Sequence, residues 1–232
     1  MQLVSTTRDI LLKPLQVVSG IVERRHTLPI LANFLMRKQK EQISFISTDI
    51  DIQITTKEDF GVGEADFSTT VGARKLLDIL RAMPEGPINL NMKENRMVVQ
   101  SGKSRFSLQT LAANEFPTMQ ENLQEVRSFS LSQKLFKQLI SQVYFAMAQQ
   151  DVRYYLNGIL MEISAGHIKL VATDGHRLAL SQGAIDNGES DERQIIIPRK
   201  AVLELSRLLD STGAEAKCEL SQNHFRVETD SL

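Results

Sequence analysis

The 232-residue sequence is poor in several features that mark particular classes of protein. Its single cysteine, Cys218, excludes an internal disulfide and any site built from several cysteines. No apolar run approaches the roughly 18 residues needed to cross a bilayer, and the N-terminus lacks a basic segment followed by an apolar stretch. We therefore expect a cytoplasmic protein with no membrane partner.

Motifs for nucleotide and metal chemistry are missing as well. There is no Gly-rich phosphate loop of the Walker type. The four histidines, His26, His167, His176 and His224, are scattered and lack the spacing of metal ligands. The sequence therefore predicts no metal site, no cofactor and no nucleotide hydrolysis.

What the chain does contain is an internal repeat at an offset of 125 residues. Three separated segments align on later ones without a gap: Ile43–Asp49 on Ile168–Asp174, Phe34–Met36 on Ile159–Met161, and Ala73–Lys75 on Pro198–Lys200. One offset shared by separated segments indicates two copies of one structural unit. We place the two units at residues 1–125 and 126–232.

Each copy contains two segments of helical periodicity among short alternating strands. The four helical segments are taken as residues 8–25, 73–83, 132–150 and 198–209. The alternation in strands such as 51–55 and 177–181 is typical of half-buried strands. This pattern favours an α+β fold, in which each repeated unit packs two helices on mostly antiparallel sheets.

The second copy is one strand shorter than the first. The first copy includes a final alternating run, 105–111, whose counterpart would begin near residue 233. A sheet without its terminal strand leaves an unpaired edge. We therefore expect the second unit to lack its last strand and the chain to be part of a longer protein.

The net charge of −1 conceals a separation of charge between the helices and the rest of the chain. The four helical segments contain twelve basic and four acidic residues, a net charge of +8, whereas the remainder carries −9. A charged run on one helix is usually only a solvated face, but here four helices share the same bias. Because a basic surface attracts phosphate backbones without regard to sequence, the pattern favours non-specific binding of duplex DNA.

Two other segments allow more than one interpretation. The motif Thr173–Leu178 would suit a hydrolase in which Asp174 orients His176 as a base. In an extended segment, however, side chains two residues apart point to opposite faces, so the hydrolase is the alternative and not the preferred hypothesis. The run Gln149–Gly158 is either a connection with its tyrosines packed on the core or a polar, aromatic loop beside the basic surface.

Seven short motifs carry a resemblance to a known family. They are Gln150–Gly158, Ala172–Leu178, Ile197–Lys200, Leu12–Leu15, Thr27–Leu31, Ser101–Phe106 and Phe116–Pro117. Together they resemble the bacterial DNA polymerase III β subunit, the sliding clamp, over the whole chain. Proteins of that family have three such units, and two chains meet head to tail in a ring whose helices face duplex DNA. The resemblance implies that this chain has the first unit and most of the second.

The resemblance also implies a function and a set of partners. The protein is expected to be a non-catalytic processivity factor of the replicative polymerase. The implied partners are double-stranded DNA without sequence specificity, the catalytic subunit of the polymerase, the clamp loader, other proteins with the clamp-binding motif, and a second copy in a head-to-tail homodimer.

Three sets of site residues follow from the same resemblance. The DNA-contacting set is Arg25, Gln150, Tyr154 and Tyr155, with Arg74, Lys75, Arg81, Arg199 and Lys200 as weaker contributors. The second-unit half of a cleft for a partner's peptide is Leu156, Thr173, Gly175, His176, Arg177 and Leu178. The ring interface is Arg96, Lys103, Arg105, Phe106 and Leu108. Lys103 and Gln100 stand where the family pattern has arginines.

Overall fold

The computed structural model describes residues 1–22, 28–63, 65–119, 126–164, 166–185, 192–221 and 224–230. These residues form two compact units, one ending at Met119 and one beginning at Val126. Each unit packs two helices on antiparallel strands, so the predicted α+β architecture is confirmed. No helix in these ranges is long and apolar enough to cross a membrane.

The first unit is built on one eight-stranded sheet. Its described helices and strands are β1 (Gln2–Thr7), α1 (Arg8–Val18), β2 (Asn33–Gln39), β3 (Gln42–Thr48), β4 (Gln53–Glu58), β5 (Phe67–Gly72), α2 (Ala73–Ala82), β6 (Pro87–Lys93), β7 (Arg96–Ser101) and β8 (Ser104–Leu111). The strand order is β1-β6-β7-β8-β5-β2-β3-β4. A bridge between Val4 and Gly61, just after β4, brings the last strand back towards the first.

The second unit repeats these elements in two sheets. Its described helices and strands are β9 (Arg127–Ser132), α3 (Gln133–Val143), β10 (Gly158–Ser164), β11 (His167–Thr173), β12 (Leu178–Ala184), β13 (Arg193–Pro198), α4 (Arg199–Leu208), β14 (Glu215–Leu220) and β15 (Phe225–Glu228). The strand orders are β12-β11-β10-β13 and β15-β14-β9. Residues of both sheets and of both helices share one apolar core, which includes Phe136, Ile159 and Cys218.

Apolar residues at helical spacing fix which face of each helix is buried. In α1 the buried residues are Leu11, Pro14, Leu15 and Val18, and in α3 they include Phe136, Leu139, Ile140 and Val143. Spacings of three and four residues place these side chains on one stripe. That stripe packs on the sheet and on the second helix of the same unit. The charged residues of each helix are therefore left on the opposite face.

The structure reproduces the sequence repeat element by element. α1, β2 and β3 recur as α3, β10 and β11 at an offset of 125 residues. An extra residue enters before the second helix, which begins at Ala73 in one unit and Arg199 in the other, an offset of 126. The sequence alignment of Ala73 on Pro198 was therefore wrong by one residue.

The two units differ in how their sheets are joined. The strands β1-β6-β7 correspond to β9-β14-β15, and β5-β2-β3-β4 correspond to β13-β10-β11-β12. In the first unit β8 pairs with both β7 and β5 and links the two groups. In the described part of the second unit no strand lies between β15 and β13, so its strands form two separate sheets.

Two of the predicted helical segments were too long. α1 ends at Val18 and not at residue 25, and α3 ends at Val143 and not at residue 150. After α3 the consecutive residues Ala146, Met147 and Ala148 are all buried. Three adjacent buried side chains cannot share the single apolar stripe of a surface helix, so the chain leaves the helix to follow the core. A short 3-10 turn ends each helix, at Ser19–Ile21 and at Tyr144–Ala146.

Candidate functional site

The four helices remain strongly basic when they are counted as the structure bounds them. They carry ten basic and three acidic residues, a net charge of +7. The value is one lower than expected because residues 23–25 fall beyond the end of α1. Arg25, a predicted DNA contact, lies outside the described residues.

On α2 the three predicted DNA contacts are all exposed: Arg74, Lys75 and Arg81. They lie on the face opposite the buried leucines of this helix. Arg74 Nε is 3.9 Å from the carboxylate of Asp78 one turn later, and an exposed pair of this kind stabilises by less than about 1 kcal/mol. Arg74 can therefore exchange this partner for a phosphate at little cost.

On α4 the two predicted contacts lie in the first turn. Arg199 and Lys200 are half-buried, and the backbone N–H of Arg199 donates to the carbonyl oxygen of Asn157 at 2.9 Å. This bond ties the start of α4 to the residue that precedes β10. Near the other end of the helix, Arg207 is paired with Glu204 at 2.6 Å.

α3 contributes a cation that the sequence prediction did not include among its site residues. Lys134 is exposed on the first turn of this helix. Its neighbour Lys137 donates to the carbonyl oxygen of Leu209 at 2.7 Å, so that ammonium group is partly used within the unit. Helical spacing places Lys134 off the buried stripe, and this signal was available in the sequence.

The loop between α3 and β10 holds the other predicted DNA contacts. Gln150 is exposed and has a left-handed backbone, with φ 56°. Tyr154 is 80% exposed and Tyr155 51% exposed, and their rings meet edge to face at 5.8 Å between centroids. Tyrosines packed on the core would be buried, so the interpretation as an exposed aromatic loop is favoured.

A charged pair stiffens this loop. Arg153 forms hydrogen bonds to both carboxylate oxygens of Asp151, at 3.0 and 2.9 Å. Side-chain and backbone hydrogen bonds from Arg153 lower the pKa of Asp151 to about 2. The Asn157 side chain donates to the Asp151 carbonyl oxygen at 2.8 Å and accepts the Asp151 N–H at 3.0 Å. These hydrogen bonds connect the start of the loop at Asp151 to its end at Asn157.

The second predicted site is the turn after β11. The carboxylate of Asp174 accepts the backbone N–H groups of His176 and Arg177 at 2.9 and 3.0 Å and the Nε–H of Arg177 at 3.0 Å. The two backbone bonds are the main cause of the lowered pKa of Asp174. The Thr173 hydroxyl donates to the Arg177 carbonyl oxygen at 2.7 Å and accepts the Gly175 N–H at 3.1 Å.

This geometry does not support the hydrolase alternative. Asp174 binds the backbone of His176, and in the described part of the chain no hydrogen bond joins its carboxylate to the imidazole ring. A carboxylate that does not contact the ring cannot orient it as a general base. Among the described residues there is also no group of three or more His, Cys, Asp and Glu placed to hold a metal ion.

The structure brings the predicted peptide-cleft residues of this turn against the loop before β10. His176, Arg177 and Leu178 are exposed, with Leu178 at 66%, whereas Leu156 is only 8% exposed. Leu178 therefore offers apolar surface, and Arg177 and His176 offer polar groups beside it. Leu156 contributes little direct surface.

Phe145 and Arg153, in the segment between α3 and β10, each approach this turn. The sequence analysis assigned neither residue a role in the site. The guanidinium carbon of Arg177 lies 5.7 Å from the ring centroid of Phe145. A Cβ atom added to Gly175 would lie 3.4 Å from Nη2 of Arg153. Phe145 falls off the buried stripe of α3 and is 52% exposed. The position of this phenylalanine off the apolar spacing, next to a polar segment, was a signal available in the sequence.

The predicted ring-interface residues lie on and beside β7 and β8. Arg96, Lys103 and Arg105 are exposed and Phe106 is 40% exposed. Leu108, opposite Met97, is only 8% exposed and belongs to the core of the first unit.

β8 has an open edge beside these residues. It pairs with β7 along Ser104–Gln109, but with β5 only through Thr110 and Leu111. Within the described residues the second edge of Ser104–Gln109 is therefore open to another strand.

Comparison with known proteins identifies the family. Residues 1–120 match the model of the DNA polymerase III beta subunit, N-terminal domain, and residues 130–232 match that of its central domain. The chain belongs to the DNA polymerase III β subunit family. A beta sliding clamp of Pseudomonas aeruginosa is 44% identical over 223 residues, which are 96% of this chain and 60% of the relative. The beta sliding clamp of Escherichia coli K12 is 43% identical over 222 residues, 95% of this chain and 60% of the relative.

Solved structures of β subunits and sliding clamps agree with this assignment. The DNA polymerase III subunit beta of Pseudomonas aeruginosa is 42% identical and has a TM-score of 0.94, over 100% of this chain and 63% of the solved one. The DNA polymerase sliding clamp of Bacillus subtilis is 25% identical and has a TM-score of 0.93, over 99% of this chain and 62% of the solved one. The resemblance and the fold of repeated clamp units are confirmed. The chain spans about 60% of the length of the curated sliding clamps that it matches.

Proposed function

We propose that this chain forms two units of a sliding clamp, a non-catalytic processivity factor that keeps the replicative polymerase on DNA. The main support is the similarity of the whole chain to a solved DNA polymerase III subunit beta, at a TM-score of 0.94. A closed ring would also need the part of the family proteins that this chain does not span. The proposed place of action is the cytoplasm.

The proposed ligand of the helical surfaces is duplex DNA. Exposed lysines and arginines attract phosphates without reading the bases, and the affinity falls as salt rises. Lys75, Arg81 and Lys134 are exposed cations of this kind. Gln150 would extend the surface in the second unit, and it stands 125 residues after Arg25 in the repeat.

The proposed ligand of the turn after β11 is a short peptide segment. It would come from the catalytic subunit of the polymerase, from the clamp loader or from other proteins with a clamp-binding motif. Leu178 supplies the exposed apolar surface that such a segment needs, and Arg177 and His176 supply groups that fix its orientation. A sliding clamp of Pseudomonas aeruginosa has been solved bound to griselimycin. We propose that this compound would bind the present chain at the turn after β11, which makes it the probe for this site.

The proposed partner of β8 is a second copy of the protein, in a head-to-tail homodimer. Its open edge can accept a strand, and Phe106 adds a half-exposed aromatic ring beside it. The exposed cations Arg105 on β8, Lys103 in the turn before it and Arg96 on the adjacent β7 would favour an acidic surface opposite. Leu108 would act from within the core, by supporting this strand.

The DNA proposal can be tested with two matched pairs of charge reversals. The helical variant is Lys75→Glu with Arg81→Glu, and the control is Lys57→Glu with Lys93→Glu, two exposed lysines on strands. Fluorescence anisotropy with a 30-base-pair duplex of arbitrary sequence gives the affinity at several salt concentrations. The slope of log K against log salt should fall by about 2 in the helical variant, since each lost phosphate contact contributes about 0.9.

Two outcomes would contradict the proposal. An equal loss of affinity in both variants would show that only net charge matters, and an unchanged slope in the helical variant would exclude α2 as a contact surface. The expected result is a loss confined largely to the helical variant. Circular dichroism of both variants checks that the fold is retained.

A further inference from the structure

The first unit contains the same turn as the proposed peptide site. The Thr48 hydroxyl donates to the Ile52 carbonyl oxygen at 2.8 Å, and the Asp49 carboxylate accepts the N–H groups of Asp51 and Ile52 at 3.1 and 2.8 Å. Thr173 and Asp174 make the equivalent bonds in the second unit. The turn is therefore built by its threonine and aspartate, and the remaining side chains do not determine it.

In both turns the residue after the aspartate has a left-handed backbone, although the side chains differ. Ile50 has φ 85° and Gly175 has φ 89°. A β-branched residue is strained at this φ, yet the first unit keeps the turn. Glycine at position 175 removes this strain and leaves the turn without a side chain at that point.

The guanidinium of Arg153 lies beside this glycine. A Cβ atom at residue 175 would lie 3.4 Å from Nη2 and 3.7 Å from Nη1 of Arg153. These are ordinary contact distances, and they show that the guanidinium packs close to the backbone of Gly175. Arg153 is itself fixed by its two bonds to Asp151. The counterpart of Arg153 in the first unit, at the offset of 125, is Leu28, which has no guanidinium.

Phe145 makes a second contact with the turn. Its ring lies under the guanidinium of Arg177 at 5.7 Å, and the Asp174 carboxylate binds Arg177 Nε–H at 3.0 Å. The Arg177 side chain is nevertheless 58% exposed. An exposed arginine ordinarily samples many rotamers, whereas these two contacts favour one orientation, each by about fivefold or less in population. The counterparts in the first unit are Gly20 for Phe145 and Ile52 for Arg177.

We infer that Phe145 and Arg153 are positioning residues, which contact the 174–177 turn at Arg177 and at Gly175 and present Arg177 already oriented to a partner peptide. The first unit builds the same turn without them, so the fold does not require them. The acceptor on the peptide would be a carbonyl or carboxylate oxygen, since a guanidinium only donates. The inference rests on the peptide-binding function proposed above. Its physical basis is that a side chain fixed before binding loses less entropy on binding.

The orientation of Arg177 can be measured without any ligand. In the ¹⁵N-labelled chain, the Nε–Hε resonance of Arg177 should be shifted by the ring of Phe145. Phe145→Leu should move it towards the position of a free arginine, and Phe145→Tyr should restore it because the ring is kept. Tyr144→Leu, an exposed aromatic of the same 3-10 turn, is the matched control. An unchanged resonance in Phe145→Leu would overturn the inference.

The consequence for binding is tested by titrating griselimycin with isothermal calorimetry. Phe145→Leu should weaken binding by about 3- to 10-fold, the cost of one side chain that must be ordered on binding. In the Arg177→Ala background the same change should cost nothing more, because Phe145 acts through Arg177. An equal loss in both backgrounds would show that Phe145 acts on the ligand directly, and would overturn its positioning role.

Arg153 is tested by Arg153→Lys, which keeps the charge and removes the planar guanidinium that binds both oxygens of Asp151. The Gly175 amide resonance should move, and the affinity for griselimycin should fall by about 3-fold or more. No change in either quantity would remove Arg153 from the inference. If the unaltered chain binds no griselimycin at all, the second-unit half of the cleft is not a binding site on its own, while the Arg177 resonance still decides whether Phe145 orients this side chain.

Discussion

Gly158 is the residue at which a single methyl group should do the most damage near a proposed functional surface. A Cβ atom at this position would lie 2.4 Å from the Ile197 carbonyl oxygen and 3.0 Å from Cγ2 of Ile196. Both neighbours belong to β13, which pairs with β10 here. Ordinary contact needs about 3.5 Å, so Gly158→Ala must push the two strands apart by about 1 Å.

The expected cost can be worked out from what this displacement disturbs. Overpacking against backbone costs about 1–3 kcal/mol. The hydrogen bond from Arg199 N–H to Asn157 at the start of α4 adds about 1 kcal/mol if it is broken. The second unit should therefore lose about 2–4 kcal/mol, which lowers its melting temperature by roughly 10–20 °C. The first turn of α4, with Arg199 and Lys200, should lose its anchor.

The first unit supplies the matched control. At the position of Gly158 it has Asn33, whose side chain bonds Thr70 Oγ1 at 2.9 Å, and the residue paired with Asn33 is Gly72. Each unit thus makes room with one glycine, on opposite strands of the pair. A Cβ atom at Gly72 would lie 3.8 Å from Asn33 Oδ1, an ordinary contact. Gly72→Ala should therefore change stability by less than about 0.5 kcal/mol.

Peptide-resolved hydrogen exchange with mass spectrometry is the appropriate assay, because it separates the two units. In Gly158→Ala the peptides of β10, β13 and the start of α4 should exchange faster, while those of the first unit keep their protection. Thermal unfolding gives the total loss. If Gly158→Ala melts within about 2 °C of the unaltered chain, the steric argument is refuted.

Two further predictions concern titratable groups. The pKa of Asp151 is lowered to about 2 by its bonds to Arg153, so the carboxylate stabilises the folded loop above the unfolded value of about 3.9, and this contribution is lost as the pH falls through about 2. The Arg153 and Asn157 resonances should therefore titrate in that acid window, and Asp151→Asn should abolish the step; titration centred near 4 would contradict the assignment. Burial, and then Glu215, raise the pKa of Cys218 to about 12, so the thiol should not react with a disulfide reagent at pH 8 unless the second unit unfolds. Rapid labelling of the folded chain would contradict this placement of Cys218.

Local spacing was sufficient for the fold class and for most strands and helices. The alternation in β4 and the helical spacing of Leu76, Leu77 and Leu80 in α2 depend only on neighbours in sequence. The ends of α1 and α3 depend on how the following residues pack into the core, and local sequence patterns do not contain that information. In β8 the alternation places Phe106 and Leu108 on one face of the strand. Only the structure shows that Leu108 is buried whereas Phe106 is partly exposed.

The site shows the same division between local and long-range information. Exposure of Arg74, Lys75 and Arg81 follows from helical spacing and was predictable. The contacts of Phe145 with Arg177 and of Arg153 with Gly175 join residues that are 32 and 22 positions apart, across a turn and two strands. No local pattern specifies such pairs. Comparison of the two copies in sequence would have shown that Phe145 is specific to the second unit, because Gly20 occupies the equivalent position in the first.

The charges of the helices also bear on why the proposed function would need a ring. Of the ten basic residues, Arg8, Arg74, Lys137 and Arg207 each contact an acceptor within their own unit. Six phosphate contacts from such a set would give a salt slope of about −5. Binding of that kind is weak at physiological salt, with dissociation constants of about 10⁻⁴ to 10⁻⁶ M. Such contacts allow movement along DNA and cannot by themselves retain a polymerase on its template. Retention would have to come from topology, which is what encirclement by a closed ring supplies.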